Sequence, residues 1–178
     1  LHRRPGAPTR RTRRLGRRPR RRTDLNGVDP VAPRPACTMR LVLVRHGDAH
    51  AGLTGVIAGR QGCRGLTDLG REQARRLGDR LAASSVHADV LVASELPRAI
   101  ETANIIAPAL GFEQLELDCD LCEVHTGDAD GMDWAEYSRR FGHLDMAAEP
   151  DRRFAEGGDS WNSFHDRVRR VMDRFAQE

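Results

Sequence analysis

The chain has 178 residues, of which 39% are hydrophobic and 31% charged, enough for one domain with a real core. Its charge is divided: residues 1–38 carry twelve arginines against two aspartates, a net +10, while residues 39–178 carry seventeen arginines against twenty-four acids, a net −7. The pI near 9.0 therefore describes a tail ahead of an acidic domain, which argues against a folded basic surface for nucleic acid, and no run is long and apolar enough to cross a membrane.

Residues 1–38 also hold six of the nine prolines and no aromatic residue, so they cannot bury enough apolar surface to fold and read as a disordered tail. An arginine arm of this kind would meet nucleic acid only through phosphates. A twin-arginine export signal fails for want of an apolar stretch after the arginines. Met39 stands directly before the first ordered element, so we read it as the natural start, with 1–38 non-native and 39–178 as the α/β domain. All 29 basic residues are arginine, which points to coding bias rather than a physical need. Of the four cysteines, Cys37 lies in the tail. Cys119 and Cys122, three residues before His125, have metal-like spacing, but no second pair follows. They read as ordinary reduced thiols, with Cys63, in a cytoplasmic protein, and no metal or other cofactor is expected.

Leu41-Val42-Leu43-Val44 runs straight into Arg45-His46-Gly47-Asp48. A short apolar run without alternation predicts a strand buried on both faces, and parallel sheets bind ligands beyond the carboxyl ends of their strands. Arg45 and His46 stand at that end. Gly47 permits a sharp turn or a close approach. Residues 49–65 form a glycine-rich loop that lacks the Lys-Ser/Thr ending of a Walker loop; Arg60 and Arg64 are candidates for substrate contact within it.

Thr67 is a helix cap, followed by an apolar stripe at Leu69, Ala74, Leu77 and Leu81. Asp89–Ala93 predicts a second buried strand. Ser94 is a plausible cap for the next helix, Pro97 suits its first turn, and Gly111 closes it after Leu110. Arg98 thus joins Arg45 and His46 beyond a strand end. Residues 114–117 predict an edge strand, and 118–131 an acidic loop bearing Glu123. Residues 132–141 predict a short helix. A last helix starts at Asp159 or Ser160, with Trp161, Phe164, Val168, Val171 and Phe175 facing a core and the arginines mostly elsewhere. Alternating strands and helices predict a three-layer α/β/α sandwich with a largely parallel sheet.

Four side chains converge in this reading. Arg45 and Arg98 offer bidentate grips on phosphate oxygens. His46 offers an imidazole nucleophile, and Glu123 an acid for a leaving alkoxide.

Five landmarks in order resemble the histidine phosphatase superfamily, the phosphoglycerate mutase-like fold. They are Leu41–Asp48, Gly65–Ala74, Ser94–Ala103, Leu121–Glu123 with Gly131, and Gly158–Ser160. The resemblance implies that His46 is phosphorylated, that Arg45 and Arg98 hold the phosphate, and that Glu123 protonates the leaving group and later activates water. It implies a metal-independent phosphomonoesterase for a small phosphorylated metabolite or phosphoprotein, with a mutase as the alternative. The family also carries a second catalytic histidine at the end of a strand after the last helix. No histidine here fits it, and the chain stops at Glu178. On this reading the sequence lacks its C-terminal strand, and the chain is expected to be weakly stable and weakly active, or a non-catalytic phosphate-ligand binder.

Overall fold

The computed structural model describes residues 39–177. The reading of 1–38 as a tail falls outside these residues.

Local signals set the helices. A single turn, α1 (Ala51–Thr54), interrupts the glycine-rich loop and ends on Gly55 at φ 66°. In α2 (Asp68–Ala83), the Thr67 side chain accepts the Gly70 N–H, satisfying one of the orphan donors of the first turn. Strand β1 (Val92–Ala93) leads into α3 (Pro97–Leu110), which starts on proline and ends at Gly111 with φ 82°. Strand β2 (Glu116–Leu117) pairs parallel with β1, Val92 opposite Glu116 and Ala93 opposite Leu117, with α3 as the crossover. Two 3-10 turns, Cys119–Leu121 and Gly127–Ala129, shape the acidic loop. Asp133 caps α4 (Trp134–Phe141), accepting the Ala135 and Glu136 N–H groups. Ser160 and Ser163 form a reciprocal capping box on α5 (Trp161–Phe175).

The packing follows from small residues and aromatics. A Cβ placed on Gly78 of α2 would lie 3.6 Å from the Ala109 side chain, so α2 and α3 pack closely. The buried face of α3 is Ala103, Ile106 and Ala107. A second cluster gathers Ile57, Ala129, Tyr137, Phe154 and Ala155. Tyr137 and Phe154 sit with ring centroids 4.9 Å apart, and the Tyr137 hydroxyl donates to the Phe154 carbonyl at 2.6 Å. Burying the ring therefore leaves no polar atom unpaired. Among the described residues no helix is long and apolar enough to cross a membrane.

The α/β class with a parallel sheet is as expected, but details differ. The second strand is only Val92–Ala93, and Val90 is 54% exposed where Asp89–Ala93 predicted a buried strand. Among the described residues Leu41–Val44 has no ladder pairing and is exposed, Leu43 by 75%. A buried strand needs backbone partners along its edges, and among the described residues none pairs with this run. Leu96, not Ser94, occupies the cap position of α3, with no side-chain cap bond; the fixed φ of Pro97 makes the cap less necessary. On α5, Val171 is buried but so is Arg167, whereas the other stripe residues are only half-buried.

Candidate active site

The segment around His46 is tied down from both sides. Gly47 passes so close to α2 that a Cβ on it would meet the Gly70 carbonyl oxygen at 2.4 Å. Only glycine permits that approach. The Gly47 N–H donates to Thr102 Oγ1 at 3.1 Å, and Thr102 donates in turn to the Arg98 carbonyl at 2.8 Å. Asp48 accepts the Thr67 hydroxyl at 2.6 Å, and its own N–H donates to Gln73 at 2.8 Å. The turn after His46 is thereby fixed to the N-terminal halves of both α2 and α3.

These ties orient the imidazole. His46 Nδ1 lies 2.7 Å from the Gly47 carbonyl oxygen. A carbonyl only accepts, so Nδ1 carries the proton and Nε2 keeps its lone pair. Arg98 Nε donates to that lone pair at 3.2 Å.

Arg98 is the hub. It is 5% exposed, and each of its nitrogens has a partner. Beyond His46, Nη1 donates to the Ala58 carbonyl at 2.8 Å and Nη2 to Glu123 Oε2 at 2.7 Å. One guanidinium therefore joins the proposed nucleophile to the proposed acid. The Glu123 side chain is 69% exposed, so the pair stands at a rim rather than in a sealed interior. Arg45 is exposed and lines the same cavity, of about 830 Å³, together with His46, Arg98, Glu123, Trp134 and Phe154. All four residues singled out in the sequence meet at this cavity. Arg60 and Arg64 do not line it, and Arg60 instead pairs with Glu95 at 2.7 Å.

Sequence reasoning missed what holds Glu123. Arg167, 5% exposed, reaches from α5 to the acidic loop. Its Nη1 donates to the carbonyls of Asp120 and Cys122 at 2.9 and 2.7 Å, and its Nη2 to the Glu123 carbonyl at 3.2 Å. Nη2 also meets Asp159 Oδ2 at 2.6 Å. Burial alone would raise the Asp159 carboxyl, but the His125 N–H and the Arg167 guanidinium together outweigh it and hold that carboxyl below its ordinary value. Asp130 similarly gathers the Gly59, Gln61 and Gly62 N–H groups, at 2.8 to 2.9 Å, and so folds the glycine-rich loop against the acidic one. The sequence signal for both is slight: a polar residue inside an otherwise ordinary amphipathic or acidic stretch.

Residues 41–178 match the family described as the histidine phosphatase superfamily (branch 1). The chain belongs to that superfamily. It is 33% identical to phosphoglycerate mutase-like protein 4 of Arabidopsis thaliana, over 78% of this chain and 60% of that protein. It is also 33% identical to the 2,3-bisphosphoglycerate-dependent phosphoglycerate mutase of Azorhizobium caulinodans, over 78% of this chain and 67% of that one. A mycobacterial glucosyl-3-phosphoglycerate phosphatase, solved with VO3, is similar in structure. The TM-score is 0.59 at 25% identity, over 75% of this chain and 65% of that chain. The chain thus spans about 60% of the Arabidopsis relative. These superfamily relatives are phosphatases or mutases.

Proposed function

We propose that this histidine phosphatase domain hydrolyses phosphomonoesters through a phosphohistidine on His46. The observation that carries the reading is the single guanidinium of Arg98, bonded at once to His46 Nε2 and to Glu123 Oε2. The lone pair of Nε2 points at a fixed cation, which is where a phosphate would be held for attack. An arriving phosphate competes for the donors of Arg98, and Arg45, free at the rim, adds a second grip. As Arg98 turns its N–H groups to phosphate oxygens, Nε2 is released to attack phosphorus and Glu123 is released from its ion pair. On leaving the ion pair Glu123 takes up a proton from the phosphate monoanion or from solvent; the phosphorus–oxygen bond to the alcohol then breaks, and Glu123 passes that proton to the leaving oxygen. Glu123 then takes a proton from water as that water displaces the phosphate from His46. Two arginines supply the charge stabilisation, so the transfer requires no metal ion.

The substrate class is a small phosphorylated metabolite or a phosphoprotein. A mutase is the second reading, favoured by the names of the two curated relatives. Hydrolysis is favoured by the region 124–158 between Glu123 and α5, which carries no long insertion to enclose a doubly phosphorylated ligand. Unpaired cysteines at Cys63, Cys119 and Cys122 support a cytoplasmic setting. Labelling with a ³²P-phosphomonoester, quenched under alkaline denaturing conditions that preserve phosphohistidine, tests the reading. Acid-labile label on His46, lost in His46→Asn, is the expected result. Binding of phosphate ester without any label would make the domain a binder. Transfer of the label to a second alcohol rather than to water would make it a mutase.

A further inference from the structure

The spacing of Cys119 and Cys122 offers one pair of thiols, too few for a metal site. The fold adds what the spacing lacks. The side-chain donor atoms of Cys119, Cys122 and His125 all lie within 4.8 Å of one another. Cys119 Sγ is 3.5 Å from His125 Nε2. Ligand bonds of about 2.3 Å to sulfur and about 2.1 Å to nitrogen, at a tetrahedral angle, place those two atoms about 3.6 Å apart. The pair already has the edge of such a tetrahedron.

The surroundings fit the same purpose. The other ring nitrogen of His125, Nδ1, lies 3.4 Å from Asp159 Oδ2. The His125 backbone N–H donates to the same Asp159 oxygen at 2.9 Å, so a carboxylate stands beside the imidazole, as it does behind the histidine in carboxylate–histidine–metal arrangements. Asp159 is itself held by Arg167, and Arg167 also fixes the Cys122 carbonyl. Cys122 is 2% exposed, whereas Cys119 and His125 are half-buried, which leaves a fourth position facing solvent.

We propose that Cys119, Cys122 and His125 bind a borderline-soft divalent cation of the zinc type, with water as the fourth ligand. On binding, two metal–sulfur bonds form, the two thiol protons pass to solvent, and His125 donates its Nε2 lone pair, with no change of oxidation state. None of the three residues lines the phosphate cavity, so the site is separate from the proposed transfer step. Its ligands flank Glu123 in the chain, and an occupied site therefore braces the segment that carries the acid.

Cobalt(II) titration of the reduced full chain tests the site independently of any turnover. One equivalent is expected to bring intense sulfur-to-cobalt charge transfer and the visible bands of tetrahedral cobalt, both removed by stoichiometric zinc. Cys119→Ser and Cys122→Ser should each lower the charge-transfer intensity, and the double variant should abolish it. Asp159→Asn should weaken binding about 10- to 100-fold while leaving the band shape intact. Absence of the band from chain with native circular dichroism would overturn the proposal. So would a band that survives undiminished in the double variant Cys119→Ser/Cys122→Ser, which would assign it to Cys37 or Cys63.

Discussion

Two arginines face the same cavity from regions built very differently. Arg98 sits at the start of α3, 5% exposed, with every guanidinium nitrogen bonded. Arg45 follows the Leu41–Val44 run, itself without ladder partners, and is exposed. One wall of the pocket is thus preorganised and the other follows an exposed segment that, among the described residues, is anchored at Gly47. Arg98 has only to redirect N–H groups already held at the site, whereas an exposed cation must first be ordered. On the proposed function, equal charge and equal position along a motif should therefore not give equal catalytic weight.

Conservative replacement of each arginine is the sharpest way to break that comparison. Arg98→Lys removes the planar fork that links His46 to Glu123, and kcat/KM is expected to fall about a thousandfold. Arg45→Lys keeps a mobile cation at the rim and should cost about tenfold. Steady-state kinetics on one phosphomonoester decides the matter. Equal losses would mean that Arg45 is drawn in and ordered as fully as Arg98 once substrate binds.

The anchored wall depends on a second buried arginine. Arg167→Met leaves Asp159 with one partner fewer and frees three carbonyls of the acidic loop, so urea denaturation should show a loss of about 3 kcal/mol. The pH dependence has a definite sign. The Asp159 carboxyl is held below its ordinary value in the folded chain, so its contribution is present above about pH 4 and fades as pH falls through the lower folded value. In Arg167→Met that carboxyl loses a stabilising cation, and the acid limb of the stability profile should shift to higher pH. An unshifted limb would show that the His125 N–H alone sustains Asp159.

Glu123 belongs to the same wall but stands at its exposed edge. Glu123→Gln retains the shape and removes the transferable proton. The expected loss is about a hundredfold for an alkyl phosphate and much less for a nitrophenyl ester, whose leaving oxygen needs little protonation. A leaving-group dependence no steeper than that of the unaltered chain would take the acid role away from Glu123.

The same contrast explains what the sequence could reveal. Helix ends were legible because they are decided within a few residues, as Thr67 on Gly70 and Ser160 on Ser163 illustrate. Arg45, His46, Arg98 and Glu123 were legible as a group because motif residues cluster where one element gives way to the next. Arg167 was not. Its partners are the carbonyls of Asp120, Cys122 and Glu123, more than forty residues earlier in the chain, and no periodicity encodes that meeting. The turn of His125 toward both Asp159 and Cys119 was hidden for the same reason. The Leu41–Val44 run misled in the opposite direction. Its composition suits a buried strand, but burial of a strand is a property of its neighbours, and the sequence of one strand does not supply them.

That run gives the smallest effect and the cleanest check on the loose side of the pocket. Leu43 is 75% exposed, so Leu43→Glu should change stability by no more than about 0.5 kcal/mol in urea denaturation. A leucine buried in a sheet would instead cost several kcal/mol when replaced by a charge, because transfer of the carboxylate adds to the lost apolar contact. A loss of that size would mean that Leu41–Val44 is covered in solution, and Arg45 would then stand on a wall as rigid as that of Arg98. In that case the two arginines should also converge in their kinetic cost. The stability of one exposed leucine and the ratio of two arginine variants therefore have to agree.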